Sequence, residues 1–396
     1  MDWTRQQKKQ LRQALMTVYR SYHDLKIFVA EDLGEQLSVI VQPTGLKAAA
    51  FELIEWAEAK GRLSETYQKF CQENSDNAVI QELMKMVGEV SGSVSSASSS
   101  INSICPQFEF ETVKVDDQGT VIERIQKTAE YWDLDLGGGV VLTLVKIPAG
   151  QFWMGSPLDE EERELPRRFS GYENYEEGPR RLVQVPEFWI GKYPVTQMQW
   201  QRVASLPKVQ RILDSNPSHF QGSKRPVERV GWDDAQEFCR RVSRITGDES
   251  VTLPSETQWE YACRAESNTP FAFGSTLSSE IANYNANDIY GSGVKGKSRG
   301  QTSPVGQFPA NSWGLYDMHG NVCEWCEDSW FSSYDGAPSN GTARRISTLT
   351  NFMLVRGGAW FFGPGQCRSA YRRFYSRGPG SDCIGFRIAC SAPLAC

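Results

Sequence analysis

Residues 356–390 read RGGAWFFGPGQCRSAYRRFYSRGPGSDCIGFRIAC, and the interpretation of the whole chain starts from this stretch. Its first residues, Arg356-Gly357-Gly358, predict a tight turn after an apolar strand. Its end, residues 384–389, alternates in the way a strand does. Between these anchors, aromatic residues, glycines and prolines are mixed without a regular period. Such a segment is typical of a binding surface on a scaffold; the alternative is a loop whose rings fill the core.

Composition narrows the class of protein. The chain has 396 residues, 40% of them hydrophobic, and a formal net charge of −6. The length predicts two or three domains, and the acidic balance argues against a dedicated nucleic-acid binder. The first residues lack the apolar core of a signal peptide, and no apolar run approaches a membrane span. The 10 cysteines lack framework spacing, which predicts reduced thiols and a cytoplasmic protein.

Residues 1–87 show helical periodicity and predict an all-α bundle of four or five helices. Leu11 and Leu15 recur at helical spacing, and Gly61 ends the strong helix former at residues 46–57. The segments LRQAL, YHDL and FELIEWAEAKGRL resemble the first type of effector-associated domain, a death-like adaptor fold of bacterial conflict systems. This resemblance implies binding to an effector protein that carries the same domain. An unrelated helical bundle is the alternative.

Residues 88–105 are rich in Ser and Gly and predict a flexible linker. Beyond it, the segments VKIPAGQFWMGS, RPVERVGWDDAQEFC, LPSETQWEYACRA, NSWGLYDMHGNVCEW, RGGAW and IGFR follow one another. In this order they resemble the formylglycine-generating-enzyme (sulfatase-modifying factor) family. The resemblance implies a variant of the C-type-lectin fold, rich in irregular structure, for residues 106–396. The predicted fold class of the whole chain is therefore α+β.

Local signals predict several regular elements of this domain. Residues 108–113 alternate and precede a turn at residues 116–119, which predicts a hairpin. Asp233 is expected to begin a helix that Gly247 ends. Ser255 and Gln258 are expected to form a capping box at the start of the next helix.

The last segment departs from its relatives in one respect. Many bacterial relatives carry an asparagine-rich version, whereas this chain has no Asn between residues 361 and 383. The departure resembles the variable region of proteins diversified by retroelements, which randomise template adenines; here it covers about residues 360–384. An Asn codon randomised at its adenines cannot give Lys, Glu, Met, Trp or Gln, and Gln366 alone belongs to that group. In so short a window, chance composition is the alternative.

Diversification is compatible with folding only where side chains contribute little to stability. We therefore expect one solvent-facing, ligand-binding patch formed by Phe361, Phe362, Gly363, Gly365, Tyr371, Arg373, Phe374, Tyr375, Ser376, Ser381, Asp382 and Cys383. Beneath it, we expect a buried scaffold formed by Trp360, Arg368, Ile384 and Phe386. The exposed aromatic rings are expected to anchor the ligand.

The cysteines bear on catalysis. The family's enzyme uses two cysteines, in a pattern like GGSYxCHxSYC, to bind copper and activate oxygen. Cys367 resembles the second, but the first falls near Phe362 or Gly363, where there is no thiol. Because a Cu(I) site needs paired thiolates, we expect no copper, no catalytic residue and no enzymatic activity. Cys323 and Cys326 form a C-x-x-C pair, which can be redox-active, but two buried free thiols are the expectation.

A calcium ion is the cofactor that the resemblance allows. Asn321, Val322 and Glu324 resemble the family's second calcium site, which offers the oxygen ligands that a hard cation prefers. The alternative is an internally hydrogen-bonded turn. Asn283 resembles half of the first site, but the acidic partner expected near Lys297 is absent.

Three functions remain open at this point. The first is a non-enzymatic, retroelement-diversified protein that binds an unknown protein or other macromolecule and recruits an effector through residues 1–87. The second is a catalytically silent structural or regulatory module, and the third is an active copper-dependent oxidase. His219 and His319 have no partnered nucleophile at a readable spacing, so structural roles are expected for both. No nucleic-acid partner and no membrane span are expected.

Overall fold

A computed structural model describes residues 105–162, 177–247, 250–346 and 351–391, together with scattered helical residues between 8 and 71. The chain divides into two compact units, Met1–Asn102 and Ser103–Cys396. In the first unit, Leu11 and Leu15 are helical and fully buried, as their spacing predicts. The number of helices in this unit and the linker at 88–104 lie outside the described residues. Among the described helices, none is long and apolar enough to cross a membrane.

In its described residues, the second unit is built from short strands and three α-helices. The strands are β1 Gln107–Val115, β2 Val121–Asp135, β3 Val141–Ile147, β4 Gly150–Met154, β5 Arg181–Val185, β6 Phe188–Gly191, β7 Cys323–Ser329, β8 Phe352–Arg356, β9 Arg373–Ser376, β10 Ile384–Gly385 and β11 Ala389–Cys390. The helices are α1 Gln197–Ala204, α2 Trp232–Thr246 and α3 Glu256–Arg264. This mixture confirms the α+β class for the second unit.

Three sheets organise these strands. One has the order β1-β2-β3-β6-β11, the second has the order β10-β7-β8-β9, and β4 pairs with β5 alone. The predicted hairpin is confirmed, because β1 and β2 pair antiparallel and Gly119 takes a left-handed φ of +87° in their turn. In the second sheet, β8 and β9 flank residues 357–372 of the last segment, and β9 is the outer strand.

The segment 384–389 does not form the single closing strand that its alternation predicts. It forms β10, which pairs parallel with β7, and β11, which pairs antiparallel with β6 in another sheet. Between them, Phe386 accepts a backbone hydrogen bond from Val195 (2.9 Å), and Arg387 turns inward. The chain thus passes from one sheet to the other within a few residues.

The helix ends largely follow their predicted signals. α2 begins at Trp232 with Gly231 as its N-cap, one residue before the predicted Asp233, because Asp234 accepts the Gly231 N–H at 3.0 Å. Gly247 ends this helix in the left-handed conformation, as predicted. The capping box of Ser255 and Gln258 at the start of α3 is confirmed.

Buried arginine–glutamate pairs hold the irregular segments together. These pairs are Arg241–Glu237, Arg264–Glu260, Arg356–Glu260, Arg368–Glu177, Arg372–Glu256 and Arg387–Glu324. The same guanidinium groups also donate to backbone carbonyls: Arg356 binds the oxygens of Ala370 and Tyr371, both at 2.7 Å. Arg356 therefore satisfies backbone acceptors that lie outside any helix or sheet, whereas Arg241 and Arg387 bind carbonyls at the ends of α1 and β6.

Candidate ligand surface of residues 360–384

The segment leaves β8 through a turn that only glycine fits. Gly357 and Gly358 have φ of +96° and +71°. A Cβ on Gly358 would lie 2.5 Å from the Cys367 sulfur, so this close approach excludes a side chain. The chain then forms a short 3₁₀ helix, Pro364–Cys367, and returns as β9 beside β8. The glycine turn, the 3₁₀ helix and β9 therefore determine the backbone path of the segment without any contribution from its exposed side chains.

The expected patch residues differ widely in exposure. Phe361 is 43% exposed, and Ser376 and Ser381 are also exposed. The partly buried residues are Gly363, Arg373, Phe374, Tyr375 and Asp382. Four residues expected at the surface are buried: Phe362, Gly365, Tyr371 and Cys383. The expectation that the whole set faces solvent is wrong for these four.

Each of the four has a packing reason for its burial. Phe362, 4% exposed, packs into the main core. The Tyr371 hydroxyl accepts a hydrogen bond from the Gln366 amide at 3.3 Å. The Gly365 carbonyl accepts from Arg368, and a Cβ on Gly365 would collide with the Glu162 side chain. Cys383 lies next to β7 and accepts the Cys323 N–H at 2.7 Å.

The strand period divides the remaining residues between two surfaces. Along β9, successive side chains point to opposite faces. Phe374 contacts Trp330 and Phe352, at ring distances of 4.9 and 5.0 Å. Arg373, by contrast, lies over the rings of Phe362 and Tyr375, 5.2 Å from each. The single patch that the sequence predicts is therefore split by β9.

We call the side that carries Phe361, Arg373, Tyr375 and Asp382 the front surface. Phe361 contacts Phe362 at 4.7 Å, which joins it to the Arg373 side of β9. Tyr375 hydrogen-bonds Cys383, the neighbour of Asp382. These contacts place aromatic, cationic and anionic side chains side by side, at least partly open to solvent.

The scaffold beneath the segment is mostly as expected. Ile384 and Phe386 are 1% and 0% exposed, whereas Trp360 is only partly buried and donates to the Asp382 carbonyl at 3.1 Å. Arg368 is fully buried and makes two 2.8 Å hydrogen bonds to the Glu177 carboxylate. It also donates to Glu160 at 2.7 Å.

Sequence reasoning missed the acidic partners of this scaffold. Glu177 lies 191 residues before Arg368, and Glu256 lies 116 residues before Arg372. Long-range pairs of this kind leave no periodic signal in a single sequence. The available clue is the density of arginines in otherwise apolar motifs, since a buried guanidinium needs a carboxylate partner.

Another buried carboxylate lies behind the front surface. Glu228 is 0% exposed, and one of its oxygens accepts the Phe220 N–H at 2.8 Å. Its other oxygen is buried and has no hydrogen-bond partner within the described ranges. Burial raises the pKa of Glu228 to about 7, although the N–H groups of Phe220 and His219 act in the opposite direction.

We expect Glu228→Gln to stabilise the second unit above neutral pH. In the unfolded chain the carboxyl ionises near pH 4.5, but in the folded chain it keeps its proton up to about pH 7. Its contribution to stability is therefore full below pH 4.5 and is lost as the pH rises through 7. The variant should gain on the order of 2 kcal/mol in unfolding free energy at pH 8 and almost nothing at pH 4.5, measured by urea unfolding.

Glu237→Gln is the matched control. Glu237 is equally buried, but although burial alone would raise its pKa, hydrogen bonds from Val209, Arg241 and Gln210 lower it. Its stabilisation is present at neutral pH and is lost as the pH falls, so this variant should be less stable at pH 8. Equal effects of the two substitutions at pH 8 would contradict a raised pKa for Glu228 and a lowered pKa for Glu237.

The residues expected to bind calcium are engaged by protein donors. The Glu324 carboxylate accepts from Arg387 at 2.6 and 2.7 Å and from Trp259 at 2.8 Å. The Asn321 side-chain oxygen accepts the Ser303 N–H at 2.9 Å, and Val322 is buried beside them. A guanidinium therefore already neutralises the Glu324 carboxylate, and calcium at these three residues stays a prediction.

The candidate copper and redox cysteines are buried. Cys367 is 0% exposed, and burial raises its pKa; the pKa of neighbouring Cys263 is raised to about 12. Cys323 and Cys326 belong to different core clusters, so their thiols do not form a dithiol. Cys105 is disulfide-bonded, against the expectation of reduced thiols, whereas the other described cysteines are free, as expected.

His319 is held in a structural role. One ring nitrogen donates to the Cys367 carbonyl at 2.8 Å, and the other accepts the Ala272 N–H at 3.0 Å. Burial lowers its pKa to about 4. Both nitrogens are therefore occupied and the ring is neutral at physiological pH. Among the described residues, no group of three or more His, Cys, Asp or Glu is arranged to hold a metal ion.

Solved structures share this fold. PvdO from Pseudomonas aeruginosa is 30% identical, with a TM-score of 0.54 over 66% of this chain and 98% of its own. Treponema denticola variable protein 1 is 23% identical, with a TM-score of 0.50 over 67% of this chain and 99% of its own. The second likeness shows the fold alone.

Characterised relatives and family matches cover both units. "Chaperone protein LppX" of Paenibacillus barcinonensis is 32% identical over 52% of this chain and 81% of its own length. The formylglycine-generating enzyme of Mus musculus is 26% identical over 62% of this chain and 74% of its own. Residues 1–88 match effector-associated domain 1. Residues 140–392 match the sulfatase-modifying factor enzyme 1-like domain, and the chain therefore belongs to that family.

Proposed function

We propose that this chain is a non-enzymatic ligand-binding protein whose front surface contacts a protein or other macromolecule. The observation that carries the proposal is the sharp alternation of exposure within residues 360–384. Arg368 and Ile384 are at most 1% exposed, whereas Phe361 is 43% exposed. Exposed positions tolerate substitution within roughly ±0.5 kcal/mol, whereas core truncations cost about 2–5 kcal/mol. A segment built in this way can vary its contacts while it keeps its scaffold.

The composition of the front surface supports ligand binding. Phe361 and Tyr375 are rigid aromatic side chains, and Arg373 adds a guanidinium beside them. Aromatic residues and Arg dominate the binding energy of protein interfaces. The absence of Asn between residues 361 and 383 supports the further proposal that a retroelement diversifies this segment. The likeness to Treponema denticola variable protein 1 shows that this fold also occurs in a protein described as variable.

The match of the first unit supports the proposal of a second binding partner. Residues 1–88 match effector-associated domain 1, and the description of that family points to association with effector proteins. We propose that residues 1–87 recruit an effector while the front surface holds its ligand. Residues 88–105, rich in Ser and Gly, would serve as the tether between the two functions.

An oxidase function is the competing proposal, since relatives include the formylglycine-generating enzyme. Two observations weigh against it: there is no thiol at residues 362 and 363, and Cys367 is fully buried. We expect no copper-dependent oxygen uptake with a cysteine-containing substrate peptide. Stoichiometric copper that is lost in Cys367→Ser would revive the oxidase.

Sequencing of the coding region in many isolates tests the diversification directly. We expect substitutions to concentrate at the codons of Phe361, Arg373, Tyr375 and Asp382, at positions where a nearby template repeat carries adenine. A reverse-transcriptase gene should lie close by. Substitutions spread evenly over residues 106–396, with no template repeat, would instead favour the catalytically silent structural module.

A further inference from the structure

We infer that the ligand surface includes a constant half outside the variable segment, formed by His219, Phe220 and Arg229. The inference rests on the proposed function and concerns the same surface. Its partner is a protein segment that presents apolar side chains beside a carboxylate.

A continuous row of rings joins the two halves. The His219 and Phe220 rings lie 4.7 Å apart, Phe220 lies 5.3 Å from Trp360, and Trp360 lies 4.8 Å from Phe361. All three contacts are edge-on, an arrangement that aromatic pairs prefer. His219 and Phe361 are exposed at the two ends, and the middle rings are partly buried. We call these four residues the aromatic ridge.

The constant end of the ridge is held in place from below. Glu228 accepts the Phe220 N–H at 2.8 Å, and the Gln197 amide donates to the Phe220 carbonyl at 2.7 Å. Ser218 is buried and accepts the Glu228 N–H at 3.2 Å. A loop fixed in this way loses little conformational entropy on binding, which favours affinity.

Backbone strain marks the same place. Arg229 is exposed and has a φ of +61°, in the left-handed region that non-glycine residues rarely adopt. Its N–H donates to the Ser381 carbonyl at 3.1 Å, which ties it to the variable segment. Strained residues of this kind cluster at binding sites.

Charge selects the kind of partner. Within the described parts of the chain, Arg229 forms no salt bridge, although its positive charge acts on the nearby Glu228 and lowers the pKa of that carboxyl, against the burial that raises it. The exposed guanidinium can therefore still accept an incoming carboxylate as its partner. The ridge presents exposed rings at both ends. Rings beside a cation match a protein segment that combines apolar side chains with a carboxylate.

Random linear peptides displayed on phage and selected on the immobilised full-length chain provide the test. We expect selected peptides to combine apolar residues with Asp or Glu. Phe220→Ser should weaken their binding roughly tenfold, and Arg229→Glu should weaken it roughly fivefold or more. His219→Ser keeps the test valid if Phe220→Ser fails to fold, because His219 is exposed. Ile122→Ser, 65% exposed on β2, is the control that should change nothing.

The outcomes separate this inference from the proposed function. Peptides that lose binding to Phe361→Ser but bind His219→Ser, Phe220→Ser and Arg229→Glu normally would overturn the constant half and leave the variable surface standing. Peptides that bind all of these variants, Phe361→Ser included, would overturn both. A library that yields no binder counts against the inference as well.

Discussion

Arg368→Ala is expected to destabilise the second unit by about 3–5 kcal/mol, because it leaves a buried carboxylate without its counter-charge. Arg368 is fully buried and binds both oxygens of Glu177, together with Glu160. Its removal also frees the carbonyls of Gly365 and Glu162, which now accept its N–H groups. Urea unfolding at neutral pH measures the loss.

Arg124→Ala is the control for this prediction. Arg124 pairs with Glu111 on the surface, where the two side chains are 61% and 36% exposed. Exposed pairs of this kind contribute about 0–1 kcal/mol. Equal losses for the two alanine variants would show that Arg368 does not carry the scaffold of residues 360–384.

Two adjacent phenylalanines are expected to behave in opposite ways. Phe362→Ala should cost about 3–5 kcal/mol, since the ring is 4% exposed and packs in the main core. Phe361→Ala should cost about 1 kcal/mol or less, since that ring is 43% exposed and makes its ring contacts with the adjacent Trp360 and Phe362. Thermal melts of the two variants, the same substitution at consecutive positions, make the comparison direct.

The two variants also distinguish a ligand-binding surface from a loop whose aromatic rings fill the core. If both variants unfold to a similar extent, the aromatic residues of the segment are core throughout and the ligand surface is lost with them. If neither is destabilised, the burial of Phe362 is wrong.

The parts of the fold that local chemistry dictates could be predicted from the sequence. The capping box of Ser255 and Gln258 and the left-handed stop at Gly247 depend on neighbours within a few residues, and both are confirmed. The β1–β2 hairpin follows from its alternation and turn residues. Motif order, rather than any local rule, indicated the family.

The site could be predicted only in part, because its decisive interactions are long-range. Composition marked the segment, but it could not distinguish Phe361 from Phe362, whose exposure depends on the core behind them. The strand period of β9, which separates Phe374 from Tyr375, was hidden by irregular neighbours. Glu228 binds the backbone of a loop eight residues earlier, and no recognisable sequence motif marks this contact.

A saturation library of residues 360–384, displayed on cells and sorted for protease resistance, tests the central claim most directly. The claim is that this segment interleaves substitutable contact residues with an intolerant scaffold. We expect protease resistance to survive most substitutions at Phe361, Ser376, Ser381 and Asp382. We expect it to survive few substitutions at the scaffold positions Phe362, Arg368, Tyr371 and Ile384. Uniform intolerance along the segment, or tolerance at the buried positions equal to that at Phe361, would contradict it.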